Sequence, residues 1–124
     1  MIELEVEQDL KDKMTVKFDE VLSLLQSHLK LDRDRALEQL KESLQEHQGS
    51  ENIIASLRTK ILGYVASPAT SSWETRQGGL LGAKVIIACK FGGESFMEEM
   101  RVQALRLTHD EEARVRQAAG RHLE

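Results

Sequence analysis

Ser71 to Phe91 reads SSWETRQGGLLGAKVIIACKF, and this stretch decides the fold. It opens on small polar residues and a tryptophan, and it closes on an apolar run. Its opening recurs near the end of the chain. Arg116-Gln117-Ala118-Ala119 answers Arg76-Gln77-Gly78-Gly79 at a separation of 40 residues. Self-similarity at that period is the mark of stacked helical pairs, each burying an apolar face against its neighbour.

The surrounding chain predicts helices on both sides. From Val16, the residues Phe18, Val21, Leu22, Leu25 and Leu29 recur at helical spacing, so a first helix is predicted up to about Leu31. A second is predicted over about 33–47, on Ala36, Leu37, Leu40 and Leu44. Gly49 follows as a favoured residue just beyond a helix end. Ser50 or Glu51 then starts a third, with Ile53, Ile54, Leu57, Ile61, Leu62 and Val65 inward. Pro68 closes it.

The opening stretch is the fourth helix. Ser71 or Ser72 is its predicted N-cap, supplying an acceptor to an orphan backbone N–H. Its second half, Val85 to Ala88, is apolar nearly all round, which predicts cover on more than one side. Gly92-Gly93 is the expected stop. A fifth helix over about 94–107 should bury Phe96, Met97, Met100, Ala104, Leu105 and Leu107. A sixth is predicted over about 111–122 after the Thr108-His109-Asp110 turn. Gly78, Gly79 and Gly82 each weaken a helix by about 1 kcal/mol relative to alanine. Close approach of a neighbouring helix is the expected compensation.

Composition agrees with an all-α class. The 124 residues suit one domain, 40% are hydrophobic and only 4% aromatic, and there is a single proline. The expected architecture is an α-α superhelix of about three antiparallel pairs, over residues 16–47, 51–91 and 94–122. The formal net charge of −4 is uneven. Residues 1–52 and 94–124 are acidic, whereas Arg58, Lys60, Arg76, Lys84 and Lys90 face only Glu74 in residues 53–93. That middle is too modest for the basic stripe of a nucleic-acid binder.

Cys89 is alone, so no internal disulfide forms and a reducing compartment is expected. The acidic start MIELEVEQDLK lacks the apolar core of a signal peptide, and no run approaches the ~20 apolar residues of a membrane span. An intracellular protein, cytoplasmic or nuclear, is the expectation.

The repeated residues resemble a known family. Asp110, Val115-Arg116 and Ala118-Ala119 are similar to the Asp…Val-Arg…Ala-Ala signature in the inner helix of HEAT repeats, which belong to the armadillo-like α-solenoids. Trp73-Glu74-x-Arg76-x-Gly78-Gly79 resembles the same helix. Trp-Glu-x-Arg at this place is also similar to tubulin-binding TOG domains, where the tryptophan contacts the partner. In the second pair Thr70 stands where the signature has Asp, and the first pair shows no clear signature Arg. The resemblance implies an α-solenoid, one end of a larger array, that serves as a protein–protein interaction scaffold. It implies bracing roles for Arg76, Asp110 and Arg116. By position, Asp110 is expected to cap the sixth helix and Arg116 to reach back to it or to a turn carbonyl, and with Thr70 in place of an acid in its own pair, Arg76 is expected to reach Asp110 of the next.

No catalytic constellation is legible. His28, His47, His109 and His122 fall on different elements without metal-ligand spacing. Cys89, within Val-Ile-Ile-Ala-Cys, reads as a buried, inert thiol. Gly78-Gly79-x-x-Gly82 lacks the Lys-Ser/Thr ending of a phosphate loop. Neither an enzyme nor a cofactor or metal is expected. Trp73, Arg58, Lys60, Lys84 and Lys90 are the candidate partner contacts. Beside that stands the plainer reading of a tryptophan closing the core and a solvated basic face. The alternatives are a nucleic-acid-binding module that uses the basic middle, disfavoured by the lack of aromatic platforms, and a TOG-like module.

Overall fold

The computed structural model describes residues 18–46, 48, 50–68 and 71–124. Among these there are helices and no strand. Residues 18–25 form α1 as far as it is described. Then follow α2 (Lys30–Glu46), α3 (Glu51–Val65), α4 (Trp73–Ala88), α5 (Gly93–Leu107) and α6 (Ala113–Leu123). Val16, His47, Gly49 and Thr70 lie outside the described residues.

Helix α4 is central. It packs against α2, α3, α5 and α6, while α3 also meets α5 and α5 meets α6. The direction of packing follows from which residues meet. A Cβ on Gly79 would touch Tyr64 and Val65, one on Gly82 would touch Ile61, and the Phe91 carbonyl accepts from Arg58. Moving up α4 therefore means moving down α3, so the two are antiparallel. Helices α4 and α6 run parallel instead. Trp73 meets Arg114 at their starts, and Lys84 and Ile87 share a cleft with Arg121 and His122 towards their ends.

The core is aliphatic. Leu22, Leu25, Leu40, Leu44, Ile54, Ile61, Leu80, Ile86, Met100 and Leu107 are essentially inaccessible. At ~25 cal/mol per Å² of apolar area, this burial is the main favourable term in folding.

Several expectations need correction. The first helix stops at Leu25, and α2 begins three residues earlier than its stripe suggests. Leu29 is accordingly 52% exposed in the turn between them. The Ser27 hydroxyl makes that turn, accepting from the Leu29 backbone N–H and donating to Asp32. Met97 and Leu105 are 48% and 47% exposed and not inward, because only one face of α5 is covered. In α4 it is the first half, Arg76 to Leu80, that is buried continuously, whereas Val85 and Ile87 are half-buried and Ala88 is exposed. Cys89 is partly exposed at the end of α4.

Ser72 is the N-cap of α4, accepting from the Thr75 N–H. The other end does not wait for Gly92-Gly93. The Phe91 N–H bonds the Ile86 carbonyl and the Lys90 N–H bonds the Ile87 carbonyl, a Schellman closure with Lys90 at φ 66°. A left-handed lysine replaces the glycine usual at this position.

The glycines of α4 bear out close approach. A Cβ on Gly78 would stand 2.7 Å from the Leu25 carbonyl oxygen, and one on Gly79 would stand 2.8 Å from Val65. Gly63 in α3 faces open space instead. Chemical denaturation should therefore order the variants. Gly78→Ala should destabilise by about 1–3 kcal/mol, since backbone must yield. Gly63→Ala should stabilise by about 0.5–1 kcal/mol. Lys90→Gly should stabilise by ~1 kcal/mol through relief of the left-handed cost.

Candidate functional site

The turns that precede α2, α4 and α6 carry most of the molecule's directed polar chemistry. Each is organised by an arginine at the fourth position of the helix that follows. These are Arg33 in α2, Arg76 in α4 and Arg116 in α6. Arg33 Nη1 donates to the Ser27 carbonyl at 3.0 Å, and Arg116 Nη1 donates to the Asp110 and Glu111 carbonyls at 2.7 and 2.9 Å. Arg76 Nη1 donates to the Ser71 carbonyl at 2.7 Å and to its hydroxyl at 3.0 Å. Three residues on from each arginine stands a small, buried residue: Ala36, Gly79 and Ala119.

Arg76 does more than brace its own turn. Its Nε and Nη2 donate to the two carboxylate oxygens of Asp110 at 2.8 and 3.1 Å. This fork is bidentate, the strong geometry for guanidinium and carboxylate. Both side chains are buried, at 4% and 3% exposure. Asp110 Oδ1 also accepts from the Glu112 backbone N–H at 3.0 Å. Burial alone would raise the Asp110 pKa. The Arg76 hydrogen bond, the Glu112 N–H and the charges of Arg76 and Arg106 outweigh it and hold the carboxyl below its ordinary value.

Asp110 therefore joins α4 to the turn before α6 through one carboxylate, and the expected reach of Arg76 to it is observed. It does not cap α6 directly. Glu112 is the N-cap, accepting weakly from the Arg114 N–H at 3.4 Å, and Asp110 instead closes the turn before it. Arg116 does not touch the Asp110 carboxylate.

The candidate contact residues divide between separate places. Trp73 starts α4 half-buried against the core, with the Arg114 guanidinium 4.0 Å above its ring. A cation on a ring face is attracted by the ring quadrupole. Lys60 pairs with Asp19 of α1. Lys84 lies beside His122, where burial and then the Lys84 charge lower the imidazole pKa. Arg58 and Lys90 line a groove of about 560 Å³ between α3 and α5, with Leu62, Phe91, Phe96 and Glu99. Arg58 is already committed there to the Phe91 carbonyl and Glu51. The five candidates thus form no single patch.

Arg33 is the residue that sequence reasoning missed. The spacing Arg33-x-x-Ala36, set beside Arg76-x-x-Gly79 and Arg116-x-x-Ala119, carries the signal. Exposed Leu29 and Leu31 flank the same turn, at 52% and 69%.

Among the described residues, no three His, Cys, Asp or Glu side chains gather as metal ligands, and no helix is long and apolar enough to cross a membrane. No family model, curated protein or solved structure matches the sequence.

Removing one partner of a buried ion pair strands the other. Asp110→Ala and Arg76→Ala should each destabilise by about 3–5 kcal/mol in chemical denaturation, and Arg76→Met with Asp110→Leu together should cost less than the two singles added. Arg116→Ala should cost under about 1 kcal/mol, because its bonds are exposed. The pH dependence has a definite sign. With the folded pKa below the unfolded one, the Asp110 contribution is complete above about pH 4. It is lost as pH falls through the folded value. Asp110→Asn should remove that acid-sensitive part.

Proposed function

We propose that this chain is a HEAT-like α-solenoid of three helical pairs, acting as a non-enzymatic protein-interaction scaffold. One observation carries the repeat reading. Residues about 41 apart meet across successive pairs. Asp19 pairs with Lys60, Arg106 donates to the Val65 carbonyl, and Arg114 covers Trp73. The first two separations are both 41, and 114 lies 41 beyond 73. Contact at the repeat period, between α1 and α3, α3 and α5, and α4 and α6, is what translation of one unit along an axis produces. The parallel course of α4 and α6 and the antiparallel course of α3 and α4 fit the same arrangement.

The scaffold role rests on what the turns present. They line up along one edge, joined by Gln26 to Thr75 at 3.0 Å and by Arg76 to Asp110. Leu29 and Leu31 give this edge exposed apolar anchors among charged residues, with half-buried Trp73 at the start of the next inner helix. Anchors of that kind dominate the energetics of protein interfaces. The reading extends the Trp73 expectation to the whole turn edge, with a protein as partner.

Affinity capture from a cell lysate is the test, with wild type set against a Leu29→Ser, Leu31→Ser, Trp73→Ala variant. The expected outcome is specific proteins held by the wild type and lost by the variant, with the helical circular-dichroism signal unchanged. Retention of the same proteins by both would move the interface elsewhere. If nucleic acid is retained instead, with a steep loss as salt rises, the scaffold role gives way to phosphate binding.

A further inference from the structure

A cleft of about 280 Å³ opens between the parallel helices α4 and α6 towards their ends. Ile87 and Ala88 give it apolar surface. Lys84 enters from α4 and Arg121 and His122 from α6, with Glu124 the acid among the lining residues. Two positive charges and an imidazole are thus gathered at one place in a chain whose formal net charge is −4.

The two cations are uncommitted. Both are exposed, and neither Lys84 nor Arg121 has an ion pair among the described residues, with Glu124 included. Arg58, Lys60 and Arg76, from the same basic middle of the chain, each have an acidic partner. His122 registers the imbalance. Its Nδ1 is shut off from water without a hydrogen-bond partner. Burial and then Lys84 hold the imidazole below its ordinary pKa, and of the charged groups on α4, α5 and α6, Lys84 is the one that shifts it. Helix polarity accounts for part of this arrangement. Arg121 and His122 lie in the last turn of α6, where positive charge complements the free carbonyls. It does not account for Lys84. The last turn of α4 carries no basic residue, and Lys84 lies a full turn before its end, where the effect has fallen off.

A ligand for this cleft needs an anionic group for Lys84 and Arg121 and, a few bonds away, an apolar group for Ile87 and Ala88. The cleft is smaller than the ~300–1,000 Å³ of drug-sized sites, so it suits something the size of one residue. A C-terminal leucine or valine carries its carboxylate and a branched aliphatic side chain on the same carbon. An aspartate or glutamate side chain brings the charge with no apolar group beyond it. We propose that the cleft binds the C-terminal apolar residue of a partner polypeptide, with the carboxylate between Lys84 and Arg121 and the side chain on Ile87 and Ala88. The site is separate from the turn edge and depends neither on the repeat reading nor on the role given to that edge. An anion beside the imidazole favours its charged form. Bound peptide therefore raises the His122 pKa and, reciprocally, binds more tightly as pH falls through it.

The test follows the His122 imidazole by NMR in the full 124-residue chain as acetyl-Gly-Gly-Gly-Leu is added, either with a free C-terminus or amidated. At saturation the free acid should raise the His122 titration midpoint, and the amide should leave it unmoved. Lys84→Gln and Arg121→Gln should each weaken the acid about fivefold, the upper range for a partly exposed charge pair. Ala88→Leu should weaken it as well, by filling the apolar side of the cleft. Lys41→Gln, on the exposed surface of α2, should change nothing. Circular dichroism checks that each variant keeps its helices.

An unmoved His122, or equal effects of acid and amide, would overturn the proposal. Undiminished binding to Ala88→Leu would mean that charge alone holds the peptide at the surface, and would refute the cleft as its site. Isovalerate has the same carboxylate and branched chain without the peptide. Weaker binding than the peptide is expected of it, and binding as tight would make a free acid the ligand and refute the polypeptide partner.

Discussion

A guanidinium and a carboxylate taken out of water together are tolerated only when every polar edge of both is occupied. Arg76 and Asp110 meet that condition with two forked bonds between them, the Ser71 carbonyl and hydroxyl on one side and the Glu112 N–H on the other. The desolvation of such a pair offsets much of its attraction, so its net stabilisation is small. Its consequence is positional. Any slip of α6 along α4 leaves a buried charge unpaired, and the cost of that error is several kcal/mol. The pair therefore sets the register between α4 and α6, while the apolar core supplies the stabilisation that the register directs.

The glycines act on the same junction from the other side. With no side chain at positions 78, 79 and 82, the start of α4 lies directly on the Leu25 carbonyl, on Tyr64 and Val65, and on Ile61. Closeness there draws the Arg76 turn inward, which is why Arg76 is buried on a helix start that would otherwise be wet. The apolar second half of α4 is less covered than its composition suggests. Burial along this helix follows backbone approach as well as side-chain hydrophobicity.

That inversion explains what the sequence could and could not disclose. The helices from 51 onward were legible to within a few residues, because their stripes, Ser72 and Pro68 are local signals. The Arg-Gln-small-small run recurs at the starts of α4 and α6, which lie side by side, and the reach of Arg76 to Asp110 followed from the missing acid at Thr70. The first turn was misread because Leu29 continues the stripe of α1 in phase, and periodicity cannot distinguish a leucine in a helix from one just beyond it. With α2 placed three residues too late, Arg33 fell at the first position of its expected helix and not at the fourth, and its likeness to Arg76 was hidden. Met97 and Leu105 were misassigned for a different reason. Their hydrophobicity reports a face suited to contact, and no pattern within one chain says whether that contact is made.

Parallel contacts at one spacing also limit how the molecule can bend. Three links, Lys60 to Asp19, Arg106 to the Val65 carbonyl and Arg114 to Trp73, tie neighbouring pairs at similar separations along the chain. The first and third lie towards solvent, where an ion pair or a ring contact is worth at most about 1 kcal/mol. The buried pair at Arg76 does not yield in this way. Separation of α4 from the turn before α6 is therefore the costliest displacement at this edge. At that edge the Arg76–Asp110 pair and the Thr75–Gln26 hydrogen bond join the three turns and hold Leu29, Leu31 and Trp73 in relation to one another. Preorganisation of that kind lowers the ordering cost of binding, so the interaction that fixes the register of the fold also serves the surface proposed for a partner.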